Sequence, residues 1–186
     1  ALFFREGKVC EACLGKSFAW PGVRYGCYRG SRAASAAVAS MVAFHRAFRT
    51  WSKAVDRYIS LTEFARHKFV QGGLPAHRIA VKPNFVHPDP GVGDATGGYV
   101  LYVGRLSEEK GISTLLSAWR NIGSRLTLRV VGDGPLADLL KGSIVQTAGI
   151  EWLGRQTRDE VFRLMQNAAF LVIPSECYEG FPMTVA

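Results

Sequence analysis

Two basic side chains lie close together in the segment "GRLSEEKG", where Arg105 and Lys110 follow an apolar run that ends at Val103. Arginine offers a planar fork of donors and lysine a compact charge, so the pair could bind a diphosphate beside the N-terminus of the next helix. In the alternative interpretation both cations are exposed and form ion pairs with Glu108 or Glu109. The spacing is compatible with a phosphate site and with surface ion pairs.

Glycines follow the neighbouring apolar runs at equivalent places. Gly104 precedes Arg105, "GDGP" contains Gly132 and Gly134, and "GRQ" begins with Gly154 and Arg155. A glycine permits either a close approach between backbone and ligand or simply a tight turn. The pattern is not the G-x-G-x-x-G dinucleotide fingerprint, so each glycine is a weak signal by itself.

A carboxylate occupies the corresponding place in "PSECYEGFP", where Glu179 precedes a predicted helix start at Gly180. Its oxygens could accept hydrogen bonds from sugar hydroxyls while backbone N–H groups of the following turn face an anion. The alternative is an ordinary acidic residue that the helix dipole favours at an N-terminus.

The second half of the chain alternates β-branched apolar runs with helical periods. Strands are predicted at 99–103, 126–131, 150–153 and 169–173, and helices at 111–120, 136–147 and 158–167. Thr157 and Glu160 form a predicted capping box at the start of the third helix. This alternation predicts an α/β fold with a Rossmann-like parallel sheet, whose ligands bind at the carboxyl ends of the strands.

The first half is less regular, with a predicted helix at 31–48, a strand at 57–61, a helix at 62–70 and a strand at 78–82. The segment 84–98 is rich in Pro, Gly and Asp and predicts an interdomain linker. We therefore expect a first domain in residues 1–83, the linker at 84–98 and a second domain in residues 99–186.

The net charge of +8 is concentrated in the first half: residues 1–90 hold 14 Lys and Arg against 5 Asp and Glu, and residues 91–186 hold 9 against 10. A basic half could face nucleic acid, an anionic membrane surface or a phosphorylated small molecule, or be a merely solvated face. Aromatic and basic residues do not interleave at strand spacing, so we do not expect a nucleic-acid partner. No apolar run approaches the roughly 20 residues that span a bilayer.

Three cysteines near the start, Cys10, Cys13 and Cys27, form C-x2-C and a later thiol. Two thiolates in one turn can bind zinc, but a structural zinc site requires four ligands. The alternatives are reduced thiols, which we favour, and a disulfide.

Several stretches together resemble a known family. "YVGRLSEEKGISTLLSAW", "VVGDGP", "IEWLGRQTRDEVFRLMQNAAFLVIPS" and "EGFPMTVA", in this order, look like the donor-binding domain of family 4 retaining glycosyltransferases of the GT-B fold. "SLTEFARHKFVQGGLPAHRIAVKPNFV" resembles the segment that joins their two domains. The resemblance implies most of a C-terminal nucleotide-sugar domain in 99–186 and only the end of the N-terminal acceptor domain in 1–83.

The resemblance also implies residue roles. Arg105 and Lys110 would bind the diphosphate and stabilise its charge as it leaves, and no cofactor or metal would be required. Glu179 would orient the donor sugar as the first glutamate of an E-x7-E motif, whose second glutamate would follow Ala186. We therefore expect an internal fragment, truncated at both ends and inactive alone.

By the same resemblance, further positions would contribute to the donor site. Gly104, Gly132 and Gly134 would form its turns, while the loop at Gly154 and Arg155 would face the base. In the last loop, N–H groups of Gly180 and Phe181 would face the sugar or phosphate, and Pro182 lies beside them without an N–H to donate.

The resemblance thus predicts transfer of a hexose or similar sugar from a UDP- or GDP-sugar to a glycan or lipid-linked acceptor, in polysaccharide or cell-envelope glycan biosynthesis. The alternative is a non-catalytic nucleotide-binding module of the same fold. We expect a cytoplasmic protein that contacts the inner face of the cell membrane through its basic first half.

Overall fold

The computed structural model describes residues 3–186, which form two compact units. The first unit comprises the residues up to Phe85 together with Tyr178–Ala186, and the second comprises Val86–Cys177. Among residues 3–186, every helix is too short or too polar to cross a membrane.

The first unit contains four short strands and four helices. Its strands are Phe4–Arg5 (β1), Lys8–Val9 (β2), Tyr58–Ser60 (β3) and Ile79–Val81 (β4). Its helices are Trp20–Arg24 (α1), Arg32–Ala47 (α2), Thr50–Lys53 (α3) and Glu63–Gln71 (α4), with a 3₁₀ turn at Ala76–Arg78. These counts refer to the described part of the chain.

The first unit contains one βαβ arrangement, because β3 and β4 pair in parallel with α4 between them. Thr62 caps α4, since its Oγ1 accepts a hydrogen bond from the Ala65 N–H at 3.0 Å. Ser31 caps α2 in the same way with the Ala34 N–H at 3.2 Å. Each cap satisfies an amide that has no partner within its own helix. These boundaries agree with the sequence prediction to within about two residues.

The second unit alternates strands and helices along the chain. Its strands are Tyr99–Val103 (β5), Thr127–Val131 (β6), Ile150–Gly154 (β7) and Phe170–Leu171 (β8). Its helices are Ile112–Ile122 (α5), Ala137–Gln146 (α6) and Arg158–Asn167 (α7), with 3₁₀ turns at Glu108–Lys110 and Gly123–Arg125. The sheet has the order β7-β6-β5-β8, and every described pairing in it is parallel. The predicted parallel α/β sheet is confirmed.

Apolar side chains cover both faces of the central strand β5. Val100 and Tyr102 pack on one face with Leu115 of α5, whereas Tyr99 and Leu101 pack on the other with Leu164 of α7. Because successive strand side chains point to opposite faces, a strand buried on both sides shows a continuous apolar run. The core therefore holds the carboxyl end of β5 in a fixed place.

Two predicted boundaries differ from the structure. The strand predicted at 169–173 is the two-residue β8, which pairs only with β5 at the sheet edge. Beyond Gly180, no helix forms within the described residues; Val185 N donates to Pro182 O at 2.9 Å and closes one turn. A single hydrogen-bonded turn does not repay the entropy of helix nucleation.

The Pro- and Gly-rich segment that follows Phe85 lies against the C-terminal half of α7. Gln166 Nε2 donates to Pro90 O at 2.7 Å, and Ala95 N donates to Gln166 O at 3.1 Å. Gly97 N donates to Asn167 O at 2.8 Å. The part of the segment within the second unit is therefore ordered by non-local hydrogen bonds. The functional assignment of the two domains stays a prediction.

Candidate functional site

A cavity of about 570 Å³ lies at the carboxyl ends of β5, β6 and β7. It is lined by Gly104, Arg105, Gly132, Asp133, Gly134, Pro135 and Arg155. The carboxyl ends of parallel strands share one edge, and the loops that follow them converge there. Five of the predicted site residues therefore come together, and Asp133 and Pro135 join them.

The glycine turns of this cavity pack directly on one another. A Cβ on Gly132, which has a φ of +131°, would lie 1.9 Å from Gly104 O, and a Cβ on Gly134 would lie 2.4 Å from Leu106 O. Gly104 N donates to Val131 O at 3.0 Å, and Gly132 N donates to Gly154 O at 2.8 Å. Close packing between loops is thus sufficient to require glycine at 132 and 134.

Arg105 projects from the first of these loops and is exposed. Its backbone oxygen accepts hydrogen bonds from the Tyr102 hydroxyl at 2.8 Å and from Ser107 N at 3.0 Å. The neighbouring Leu106 is fully buried and anchors the loop in the core. Within residues 3–186 the Arg105 guanidinium has no ion-pair partner, so its predicted alternative as a surface ion pair is not what the structure shows.

Lys110 is half-buried in the 3₁₀ turn Glu108–Lys110 and does not contribute to the lining of the cavity. The next residue, Gly111, has a φ of +67°, and a Cβ there would lie 1.9 Å from Pro174 O. This close packing fixes the turn between the loop and α5. Lys110 is therefore not among the residues that line this cavity, and its predicted contact with the diphosphate stays a prediction.

An acidic residue that the sequence prediction missed faces Arg155 across the cavity. Asp133 Oδ2 lies 3.5 Å from Arg155 Nε, and Asp133 Oδ1 accepts the Gly134 N–H at 2.8 Å. The Arg155 side chain is 83% exposed, so this ion pair contributes little to stability. The signal was present in "GDGP", where an aspartate stands between two glycines that bring it to the strand end.

Gly154 and Gln156 shape the loop that carries Arg155. Gly154 ends β7 with a φ of +67°, a conformation that favours glycine. Gln156 Nε2 donates to Leu153 O at 2.5 Å and closes the loop on its own strand. Arg155 therefore extends from a defined turn, with its Nε near Asp133.

The remaining predicted residues, Glu179, Gly180, Phe181 and Pro182, belong to the first unit. There, Asn84 Nδ2 donates to Phe181 O at 2.8 Å. These four residues and the cavity lie in different units, and each unit is considered by itself. A joint site formed by Arg105 and Glu179 stays a prediction.

A charged cluster holds the start of that last segment. The Tyr178 hydroxyl donates to Glu11 Oε1 at 2.7 Å, and Lys68 Nζ lies 2.5 Å from the same oxygen. The hydrogen bond from Lys68, followed by that from Tyr178, lowers the pKa of Glu11. The hydrogen bond with Glu11 in turn raises the pKa of Lys68 and of Tyr178.

The zinc hypothesis for the three cysteines near the start has no geometric support. Cys10 and Cys13 are half-buried, Cys27 is exposed, and none of the three forms a disulfide. Among residues 3–186, no three His, Cys, Asp or Glu side chains are close enough to hold a metal ion. Among the described residues, Cys10, Cys13 and Cys27 therefore do not form a zinc site.

Sequence comparison finds that the chain is similar to glycosyltransferases. Residues 97–186 match the sequence profile of the family described as Glycosyl transferases group 1. An uncharacterized glycosyltransferase of Methanocaldococcus jannaschii is 28% identical over 130 residues, which are 69% of this chain and 36% of that relative. The chain thus spans little more than a third of the length of this curated relative.

Solved structures share the fold. The lipopolysaccharide outer core galactosyltransferase WaaB in its apo form has a TM-score of 0.55 and 23% identity, covering 69% of this chain and 39% of that chain. HepE of Anabaena, in complex with UDP and glucose, has a TM-score of 0.55 and 22% identity, covering 68% of this chain and 40% of that one. The chain is therefore an α/β protein whose parallel sheet matches the fold of GT-B glycosyltransferases over about 69% of its length.

Proposed function

We propose that the protein containing this chain is a retaining, family 4 glycosyltransferase. It moves a hexose or similar sugar from a UDP- or GDP-sugar to a glycan or lipid-linked acceptor. The observation that carries the proposal is the cavity at the carboxyl ends of β5, β6 and β7, into which Arg105 brings a guanidinium without an ion-pair partner among residues 3–186. An exposed cation at this edge of a parallel sheet suits a diphosphate.

The cavity charges indicate how a diphosphate would bind. Arg105 and Arg155 contribute two positive charges, and Asp133 contributes one negative charge. An arriving diphosphate competes with Asp133 for Arg155 and pairs directly with Arg105, because Arg forks bind phosphate oxygens in a bidentate manner. When the bond between sugar and diphosphate breaks, negative charge accumulates on the leaving group, and the guanidinium groups stabilise it.

The motif resemblance extends this proposal to residues outside the cavity lining. Lys110 would supply a further positive charge to the diphosphate. Glu179 would accept hydrogen bonds from the donor sugar, and the loop at Gly180, Phe181 and Pro182 would face the sugar or phosphate. The donor class is supported by HepE, which was crystallised with UDP and glucose, and the glycan acceptor by the name of WaaB.

The first experiment is calorimetric titration of the chain with UDP and with GDP, using wild type, Arg105→Ala and Arg125→Ala. Arg125 is the matched control, because it is exposed in the turn before β6, at the opposite edge of the same sheet. Loss of a charged hydrogen bond costs about 1.5–3 kcal/mol, so Arg105→Ala should weaken binding by roughly 10- to 100-fold. Equal affinities in Arg105→Ala and Arg125→Ala would contradict the assigned diphosphate site.

Turnover is the second test of the proposal. Proton NMR of the transferred sugar should show the same anomeric configuration in donor and product if the enzyme is retaining. Nucleotide binding without any donor hydrolysis or transfer would instead favour the non-catalytic module. The transfer and hydrolysis assays use the same variants, Arg105→Ala and Arg125→Ala. Loss of turnover in Arg105→Ala alone indicates a defect at the site, whereas equal loss in both variants indicates a folding defect.

A cytoplasmic location with contact at the inner face of the membrane is part of the proposal. The support is charge: the first unit holds 14 Lys and Arg against 5 Asp and Glu. Cosedimentation with anionic liposomes should be strong at low salt and lost at high salt, because ions screen the attraction. Binding that is equal for neutral and anionic liposomes would refute this contact.

A further inference from the structure

The first unit contains a cavity of its own, with a volume of about 580 Å³. This size falls within the range of small-molecule sites, about 300–1,000 Å³. Trp51, Tyr58, Phe69 and Leu74 contribute to a mainly apolar wall. The charged residues of the lining are all basic, so the cavity combines an apolar surface with positive charge.

The three basic residues of the lining, Arg46, Arg49 and Lys68, differ in their partners. Arg46 Nη1 donates to the backbone oxygen of Lys16 at 2.8 Å, and Lys68 Nζ is paired with Glu11 at 2.5 Å. Within residues 3–186, the Arg49 side chain has neither an ion pair nor a hydrogen bond to a protein group. Arg49 is thus the cation of the lining whose side chain has no protein partner within residues 3–186.

Arg49 also has an unusual backbone conformation. It precedes α3 with a φ of 55° and a ψ of 27°, in the left-handed region that glycine adopts most easily. Its backbone oxygen accepts hydrogen bonds from Ser52 N at 3.1 Å and from Lys53 N at 3.0 Å. Glycine would satisfy this backbone with less strain, so the local structure gives no reason for an arginine here.

We propose that this cavity binds an anionic amphiphile, in which a phosphate group contacts Arg49 and an apolar chain lies along Trp51, Phe69 and Leu74. Charge complementarity supports this ligand class, because the charged part of the lining is wholly basic and arginine matches the geometry of phosphate. The site needs only the first unit and goes beyond the proposed donor chemistry of the second. The ligand could be a soluble alkyl phosphate or a membrane lipid, which share this chemistry.

The test is calorimetric titration of the full chain with hexyl, octyl and decyl phosphate, each below its micellar concentration. Each added methylene should raise the affinity by about fourfold, as expected for burial of an apolar chain. An uncharged decyl glycoside should bind at least about tenfold more weakly than decyl phosphate, because it lacks the charged hydrogen bond. Equal affinity for the charged and uncharged ligands would overturn the proposal.

Arg49→Gly and Arg29→Gly form a matched pair of variants. Arg29 has a φ of 54°, nearly that of Arg49, and belongs to the same unit but does not line the cavity. Both variants lose one positive charge and relieve the same backbone strain, so neither should lower the thermal unfolding midpoint. Arg49→Gly should weaken decyl phosphate binding by about tenfold or more, whereas Arg29→Gly should leave it unchanged.

Anionic and neutral vesicles then distinguish the source of the ligand. Binding of decyl phosphate and of anionic vesicles, both reduced by Arg49→Gly, indicates a membrane lipid whose headgroup enters the cavity. Binding of decyl phosphate alone indicates a soluble ligand. If only vesicles bind, or if the two glycine variants lose binding equally, a general surface attraction replaces the cavity and the proposal is wrong.

Discussion

Replacing Gly132 by alanine should strongly destabilise the second unit, whereas the same change at Gly142 should stabilise it. A Cβ at Gly132 would lie 1.9 Å from Gly104 O, on a backbone with a φ of +131°. Gly142 lies inside α6, and a Cβ there would have no neighbour within 4 Å. The two variants therefore add the same methyl group to opposite environments.

The magnitude at Gly132 combines three costs. An alanine at this φ costs about 1–2 kcal/mol, and forced displacement of packed backbone costs about 1–3 kcal/mol. Moving the two loops apart also weakens the hydrogen bond from Gly104 N to Val131 O, which contributes about 1 kcal/mol. We expect a total loss of about 3–6 kcal/mol in the free energy of unfolding. At Gly142, alanine should add about 0.5–1 kcal/mol through helix propensity.

Tryptophan fluorescence during urea unfolding measures both variants. Trp152 is a local reporter, because its Nε1 donates to Gly132 O at 2.9 Å, and Trp119 is buried in the same unit. Replacing Trp20 and Trp51 of the first unit by phenylalanine in all proteins restricts the signal to the second unit. The midpoint should shift while the slope with urea stays constant.

A free energy of unfolding for Gly132→Ala within about 0.5 kcal/mol of the parent would refute the reasoning, since surface substitutions without strain fall in that range. It would mean that the loops after β5 and β6 separate at little cost. Equal destabilisation by Gly142→Ala would also contradict it, because that change meets open space.

Two further predictions concern single polar groups. The Ser107 hydroxyl is buried without a hydrogen-bond partner among residues 3–186. Ser107→Ala should therefore raise the free energy of unfolding, measured by urea unfolding, by about 1 kcal/mol. A decrease of about 1 kcal/mol would instead show that the hydroxyl has a partner. The pKa of Glu11 is lowered by Lys68 and then Tyr178, so its contribution is fully present above its usual pKa of 4.5 and disappears as pH falls through the lowered value. The stability difference between wild type and Glu11→Gln should therefore be constant from pH 6 to 7 and vanish in acid, and a difference that persists below the lowered pKa would contradict the cluster.

Local patterns in the sequence were sufficient to predict the helices of the second unit and its strands β5, β6 and β7. The run "YVLYV" is buried on both faces and forms β5 at the predicted residues. Thr157 accepts a hydrogen bond from Glu160 N at 3.3 Å, as its position before the helical period of α7 predicts. Periodicity and capping are properties of neighbouring residues, so they can be predicted without the fold.

The composition of the cavity was partly predictable. Parallel strands place their carboxyl ends at one edge, and this rule brought Gly104, Arg105, Gly132, Gly134 and Arg155 together. The rule did not show that Asp133 would face Arg155 at 3.5 Å, because a loop's side-chain directions depend on its own turn geometry.

Only the tertiary structure decided distances between segments remote in the sequence. It leaves Lys110 out of the cavity lining, binds the stretch around Pro90 to α7, and shows that Gly132 is required by contact with Gly104. It also reveals the second cavity, where Arg49 has a conformation suited to glycine. The sequence by itself determined the local elements and the edge of the sheet at which chemistry should lie. Packing between distant residues decided which side chains meet there, because such contacts arise from the whole fold and leave no local pattern.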